Sequence, residues 1–439
     1  MIGARAPGPG APVRIGLLGC GTVGQAVVRS LIDGADTIER ASGHRLEVGP
    51  VLVRDAAWAR AGIDPALLTD DPARVLDDPT VAIVVEVMGG VEPTLGYLRR
   101  ALARGASVVT ANKQLLSRHG PELLLAAEEA GAELRFEASA CAAIPVIKVL
   151  RESLLAAQIE AVTGIVNGTT NFILTEMSRG GVSYADALAR AQELGYAEAD
   201  PTEDVGGADA AAKMAILASI AFHSRVLIDD VPYEGIDGLQ AADIAHADAL
   251  GFVVKLVGVA RLLHGAVSVR VYPALVPRGH RLAAIGGSDN AVLLESRATR
   301  EIMLVGPGAG GDETASAVLA DILSVLGTQQ GSFLHNALAD AGRPIAPPGA
   351  VPSAFYLRTE VADRPGVLAR IASIFAEEDL SILSVVQSGS GDEASLVLIL
   401  HEGLEDSMRR AVARIGGLDI VRGEPVMLRV LGSGEGGDR

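Results

Sequence analysis

The sequence predicts an α/β chain of about three domains: a doubly wound parallel sheet, an α+β unit, and a compact βαββαβ unit at the carboxyl end. Three observations predict it. A buried apolar run, Val13-Arg14-Ile15-Gly16-Leu17-Leu18, leads directly into Gly19-Cys20-Gly21-Thr22-Val23-Gly24. Strand-like and helix-like runs alternate as far as Thr110, and the pattern changes beyond Glu137. A proline-rich stretch from Asp340 to Ser353 then reads as a stiff linker before a last set of short elements.

Residues 1–12 are Gly/Pro-rich, without the apolar centre of a signal peptide, and are expected to form a disordered leader. In the first domain, residues 13–136, the pattern predicts strand 13–18, helix Thr22 to Arg40, strand Leu46 to Val53, strand Ile83 to Val87, helix Thr94 to Arg104 and strand Ser107 to Thr110. In the second, residues 137–300, strands are expected at Ile159 to Gly164, Val253 to Leu262 and Ala266 to Val271. Helices are expected at Tyr184 to Leu194, Ala208 to Phe222 and Ala242 to Leu250. Residues 301–339 hold a strand, the loop Gly306 to Gly311 and a helix from Thr314 to Leu326, read as a return to the first domain. After the 340–352 linker, residues 353–430 run strand, Pro365-Gly366 turn, helix Val367 to Glu377, strands Ile382 to Gln387 and Ala394 to Leu400, helix Glu405 to Ile415 and strand Val421 to Val430. That order is ferredoxin-like. Residues 431–439 are expected to be a disordered tail.

With 439 residues, 49% hydrophobic and 21% charged, each domain can bury a core. No uncharged apolar run reaches the roughly 18 residues that span a bilayer. The net charge of -17 repels nucleic acid and anionic lipid, so neither is an expected partner. The densest basic cluster, Arg99, Arg100 and Arg104, has helical spacing and is assigned to a solvated face. Two cysteines, Cys20 and Cys141, exclude a disulfide framework and a thiolate zinc cluster, which suits a reducing cytoplasm.

Gly19 to Gly24 is a complete Gly-x-Gly-x-x-Gly after a strand and at the start of a helix. This arrangement brings backbone N–H groups and the positive helix end to a pyrophosphate. Gly19, Gly21, Thr22, Val23 and Gly24 are therefore candidate cofactor residues. The same spacing recurs at Gly306 to Gly311, where Gly308 closing over the nicotinamide end and a plain turn are equal alternatives. After the second strand, Arg54 suits a 2′-phosphate and favours NADP, while Asp55 keeps NAD open.

Asp209 and Lys213 stand four apart in an alanine-rich segment and share one helix face. An exposed salt bridge is the alternative; the apolar neighbours favour a buried pair, the setting for a proton donor. Glu198, Asp200 and Asp204 lie on the loop before it. His223, His246 and His264 lack metal-ligand spacing.

These motifs, with Gly89-Gly90-Val91-Glu92-Pro93, Val109 to Lys113, Gly164 to Asn171 and Gly195 to Pro201, resemble the homoserine dehydrogenases over residues 13–335. Asp363-Arg364-Pro365-Gly366-Val367-Leu368 resembles the turn of an ACT amino-acid-binding domain. The resemblance implies a Rossmann-type nucleotide-binding domain, a catalytic and dimerisation domain, and reversible NAD(P)H-dependent reduction of L-aspartate 4-semialdehyde to L-homoserine on the route to threonine, methionine and isoleucine. It implies Lys213 as proton donor, Lys113 between cofactor and substrate, and Glu198 and Asp209 on the substrate ammonium, with Asp204 and Thr169 as lesser contacts. Thr110 joins the cofactor residues. A monovalent cation, usually sodium, would lie on Glu137 and the carbonyls of Ala140, Ala142 and Ile144, although Ala140-Cys141-Ala142-Ala143 departs from the valine and glycine pair commoner in the family. Gly286-Gly287-Ser288-Asp289-Asn290 also departs from the pattern. Threonine as effector, with Gln387 as a contact, and a homodimer or homotetramer are implied for the ACT domain and the assembly; an ACT domain used only for pairing is the alternative.

Two other functions compete. A semialdehyde dehydrogenase making an acyl-phosphate requires a cysteine nucleophile, and a non-enzymatic amino-acid sensor requires only the fold.

Overall fold

The computed structural model describes residues 12–58, 60, 62–327, 349, 352–388 and 394–430. The expected tail, and all of the expected leader except Pro12, lie outside these residues, as do most of the linker and positions 328–339. Two compact units are present, divided between Ala339 and Asp340.

The amino-terminal unit begins with a six-stranded sheet in the order β3-β2-β1-β4-β5-β6, formed by β1 (Val13–Leu18), β2 (Leu46–Leu52), β3 (Leu68–Thr69), β4 (Val81–Glu86), β5 (Ser107–Thr110) and β6 (Leu134–Arg135). Every pairing is parallel. Such sheets are covered on both faces, and the strands accordingly read as continuous apolar runs; Ile15, Leu17, Leu18, Val84, Val85, Val108 and Val109 are all buried. Strand order reverses between β1 and β4, and a doubly wound sheet opens its ligand crevice beyond the carboxyl ends at that point.

Helices α1 (Thr22–Asp33), α2 (Ala35–Ser42), α3 (Ala73–Leu76), α4 (Thr94–Ala103) and α5 (Lys113–Ala130) flank the sheet. The single helix expected from Thr22 to Arg40 is two helices. Gly34 ends α1, and its N–H bonds back to the carbonyls of Ser30 and Ile32. A glycine commonly terminates a helix in this way. Helix α5 was not anticipated. Arg99 and Arg100 are exposed and pair with Glu122 and Asp77, whereas Arg104 is half-buried beside Asp78 and not on an open face.

The second sheet is antiparallel, in the order β11-β10-β7-β8-β9, with β7 (Ile159–Ile165), β8 (Phe252–Leu263), β9 (Ala266–Pro277), β10 (Asp289–Ser296) and β11 (Arg300–Pro307). Strand β9 runs six residues past the expected Val271, pairing with β8 as far as Pro277. Helix α7 (Gly168–Gly180) was not foreseen because polar residues interrupt its apolar pattern, and neither was strand β10, whose apolar run, 291–294, is short. Around this sheet lie the short α6 (Val146–Lys148), α8 (Tyr184–Glu193), α9 (Thr202–Val205), α10 (Ala208–Ala221) and α11 (Ala241–Ala249).

In the segment after Arg300 only the helix rejoins the first sheet. Strand β11 stays in the second sheet beside β10, while α12 (Gly311–Leu326) inserts Ala315, Val318 and Ile322 into the core that holds Ile15, Val27 and Leu31.

The carboxyl-terminal unit is a four-stranded antiparallel sheet, order β13-β14-β12-β15, built from β12 (Pro352–Val361), β13 (Ile382–Ser388), β14 (Ala394–Leu404) and β15 (Val421–Val430). Alternate residues Phe355, Leu357, Leu396, Leu398 and Leu400 are buried with α13 (Val367–Glu377) and α14 (Glu405–Gly416), the period-two pattern of a half-covered sheet.

Ile322 on α12 is fully buried in the core shared with the first sheet. Ile322→Ala should therefore destabilise the protein by about 2–5 kcal/mol, read from the midpoint of chemical denaturation. An unchanged midpoint would refute the packing of α12.

Candidate active site

The glycine loop lies at the switch point. Gly19 has φ +104°, and a Cβ there would come within 2.8 Å of the Met88 amide nitrogen, so the β1 and β4 loops touch. A Cβ on Gly24 would meet the Gly19 carbonyl oxygen at 2.4 Å. At Gly21, by contrast, nothing lies within 4 Å. The two outer glycines are required by close packing, while the middle one faces open space beside the first turn of α1, where Thr22 and Val23 present backbone N–H groups. This cradle fits a pyrophosphate. Arg54 is exposed beyond β2. Arg60 donates to the carbonyl of Cys20 at 3.3 Å and to that of Trp58 at 2.9 Å, joining the loop after β2 to the glycine loop.

On the other side of the crevice, buried Glu86 accepts the amides of Met88 and Gly89, each at 2.9 Å. Thr110 donates its hydroxyl to Glu86 at 2.5 Å and is itself fully buried. The Thr110 side chain therefore shapes the loop and is not offered to a ligand. Asn112 caps α5 through the Leu115 amide and donates to the Gly90 carbonyl at 2.7 Å. This cap sets Lys113 as the first residue of the helix.

Lys113 reaches across to the second sheet. Its ammonium lies 3.0 Å from Asp209 Oδ1, and the Lys213 ammonium lies 2.9 Å from Oδ2. Helix α10 is buried along most of its length, Asp209 and Lys213 included. Burial alone would raise the Asp209 pKa, but the two ammonium groups overcome it and hold the carboxyl well below the usual range. Asp209 in turn raises the pKa of Lys113. Lys213 also donates to the Val166 carbonyl at 2.9 Å, just past β7. An ammonium has three N–H bonds; two are committed, leaving one for a ligand.

Asn167 was not assigned a role from the sequence, yet it organises the carboxylates. Its Oδ1 caps α7 through the Thr170 amide, and its Nδ2 donates to Asp204 at 2.7 Å and to Asp209 at 2.8 Å. The signal available in the sequence was an Asn before Gly-Thr-Thr at the end of an apolar run, an N-cap position. Asp204 is half-buried, and burial followed by the Asp209 charge raises its pKa. Thr169 donates to the Tyr196 carbonyl at 2.7 Å and lies 3.4 Å from Asp204. The exposed Glu198 side chain has no hydrogen bond to this cluster among the described residues.

Glu137 lies behind the cluster. Its carboxylate accepts the Ile147 and Lys148 amides at 2.8 and 2.6 Å, and its own amide donates to Asp321 of α12 at 2.7 Å. The carbonyls of the buried Ala140 and Ala142 accept no hydrogen bond among the described residues, whereas that of Ile144 accepts the Val146 amide at 2.8 Å. Among the described residues no three His, Cys, Asp or Glu side chains form a metal cluster. His223, His246 and His264 are exposed.

Cys141 is fully enclosed, and burial pushes its thiol up to about 12; Cys20 is raised by the same cause. Burial thus disfavours the thiolate at both, which argues against the acyl-enzyme alternative.

Family models match residues 19–137 as the NAD-binding domain of homoserine dehydrogenase, 145–323 as homoserine dehydrogenase and 355–419 as an ACT domain. The homoserine dehydrogenase of Corynebacterium glutamicum is 43% identical, covering 98% of this chain and 99% of its own length. This chain belongs to the homoserine dehydrogenase family. A homoserine dehydrogenase structure from Thiobacillus denitrificans superimposes with a TM-score of 0.69 at 40% identity, covering 95% of this chain and 98% of that one. A hyperthermophilic archaeal homoserine dehydrogenase mutant in complex with NADPH matches with a TM-score of 0.62 at 29% identity, covering 72% and 98% respectively. The chain is accordingly an oxidoreductase with a nicotinamide-nucleotide domain and an ACT domain, and not a sensor that merely kept the fold. Among the described residues no helix is long and apolar enough to cross a membrane.

Burial raises Glu137 to about 7 and Asp321 to about 6. The folded chain thus keeps protons that the unfolded chain has released. The resulting stability is full below the ordinary values of 4.5 and 3.8 and is lost as pH rises through about 6 to 7. Asp321→Asn keeps the acceptor for the Glu137 amide and should flatten this loss. The check is the unfolding midpoint of both proteins at about pH 5 and about pH 8; identical pH dependence would exclude it.

Proposed function

We propose that this chain catalyses the reversible reduction of L-aspartate 4-semialdehyde to L-homoserine, in the supply of threonine, methionine and isoleucine, with NADP(H) preferred over NAD(H). The observation that carries the reading is the buried carboxylate of Asp209 clasped between Lys113 and Lys213, in the same compact unit as the glycine cradle. The NADPH carried by the archaeal relative supports the cofactor. When bound, that cofactor supplies a hydride.

Lys213 is fixed by Asp209 and the Val166 carbonyl, so its remaining N–H is aimed by the helix and not by solvent. Donated to the oxygen of the reducible carbonyl, that proton neutralises the charge as it develops. Lys113 adds a second positive charge from the cofactor side. Asp209 is committed to two lysines and Asn167, so its role is to hold the ammonium groups. The substrate ammonium falls to Asp204 and Glu198, whose carboxylates are more open, with Thr169 positioning Asp204. Gly19, Gly21, Thr22, Val23 and Gly24 cradle the pyrophosphate, Arg54 pairs with the 2′-phosphate, and Gly308 closes the nicotinamide end.

The unpaired carbonyls of Ala140 and Ala142 beside Glu137 are oxygen donors suited to a hard monovalent cation such as sodium, with Ile144 contributing less because its carbonyl is already engaged. In the carboxyl-terminal unit a cavity of about 410 Å³ is lined by Asp363, Arg364, Gly366, Val367 and Gln387, and Gln387 donates to Asp363 at 3.0 Å. Its backbone amides at a strand–helix junction suit an amino-acid carboxylate, and threonine is the effector assigned to it. A cytoplasmic homodimer or homotetramer completes the reading; the buried free cysteines agree with a reducing compartment.

With the substrate and NADPH, Lys213→Ala should lower kcat by about 10²–10⁴-fold while the circular dichroism spectrum is retained. Near-normal turnover would remove Lys213 as proton donor. Arg54→Ala should raise the KM for NADPH roughly tenfold and leave that for NADH unchanged, and equal effects on both would discard the phosphate contact.

A further inference from the structure

We infer that Asn290 is a cofactor-positioning residue whose carboxamide pairs with the carboxamide of the nicotinamide ring. The inference rests on the hydride-transfer reading above and adds a residue to it. Asn290 is fully buried near the start of β10, and among the described residues its carboxamide meets no hydrogen-bond partner but the Cys141 thiol. A thiol is a weak hydrogen-bonding group. Leaving the ends of a buried amide without strong partners is costly. A leucine, with as many side-chain heavy atoms, carries no polar group to leave unpaired.

The position of the amide indicates what it serves. Asn290 pairs in register with Gly306 of β11, and its neighbour Ala291 pairs with Ile165 of β7. Strand β7 leads into Val166, whose carbonyl holds Lys213. The loop after β11 lies directly over the amide. A Cβ on Gly308 would fall 2.0 Å from Asn290 Cγ and Nδ2, and one on Gly168, at the start of α7, 3.6 Å from Oδ1. That loop continues to Gly311, where a Cβ would come within 3.0 Å of Thr22 Cγ2 in the pyrophosphate cradle. Asn290 is therefore linked through one loop to the glycine cradle and through the neighbouring strand to the carbonyl that holds Lys213. The loop over it has glycine at 306, 308, 310 and 311, the residue type that leaves a backbone freest to move.

The chemistry of the orphaned atoms selects the partner. The amide offers donors and an acceptor together. Phosphates and the substrate carboxylate only accept, and the substrate ammonium only donates. A carboxamide does both, in the planar geometry that an asparagine amide complements.

The test uses Asn290→Leu in the full-length enzyme, with NADPH and its reduced 3-acetylpyridine analogue, which lacks the amide N–H₂. Fluorescence titration should show wild type binding NADPH about tenfold more tightly than the analogue, and the variant binding both alike. A preserved preference for NADPH in the variant overturns the inference. If Asn290→Leu does not fold, Asn290→Ala is read by the same preference. A wild type that binds neither nucleotide overturns the functional reading itself.

Discussion

One carboxylate, that of Asp209, is the constraint on which the rest of the site depends. An ammonium group buried without a partner is expelled or neutralised, and here two lysines from opposite sides of a crevice converge on the same anion. Lys113 comes from the parallel sheet and Lys213 from the helix over the antiparallel sheet. The ion pairs therefore add a polar tie between two layers that already share one hydrophobic core. Because Asp209 is enclosed and doubly paired, its carboxyl is held well below the usual range.

Around that anion the polar groups form a continuous chain. Asn167 caps a helix with one end of its amide and ties Asp204 to Asp209 with the other. The Val166 carbonyl, one residue earlier, holds Lys213. Two consecutive residues just past β7 thus set the helix start, the acid pair and the ammonium. Glu86 performs a parallel task in the first sheet, where one buried carboxylate gathers two loop amides and the Thr110 hydroxyl. In both places a buried side chain with several partners holds irregular backbone that would otherwise lack hydrogen bonds.

The sequence made the glycine cradle legible because its three glycines and the flanking strand and helix are contiguous. Asp209 and Lys213 were legible because one helical turn separates them. The Lys113–Asp209 pair was not, since the residues are far apart in sequence and no local periodicity links them. Helix α7 escaped notice because Thr169, Thr170 and Asn171 are buried polar residues that interrupt the apolar pattern. Thr110 was readable as a residue at the end of a strand, but not as one whose hydroxyl is already consumed by Glu86. The break at Gly34 shows the opposite case, in which a local signal was present and the longer amphipathic run on either side concealed it.

Helix α12 carries a consequence for biosynthesis. Its Ala315, Val318 and Ile322 complete the core of strands made at the very start of the chain, yet the whole antiparallel sheet is encoded in between. During translation the amino-terminal layer emerges with that side uncovered and must remain so while the ribosome delivers the second sheet. Final closure of the nucleotide-binding layer therefore has to wait for α12.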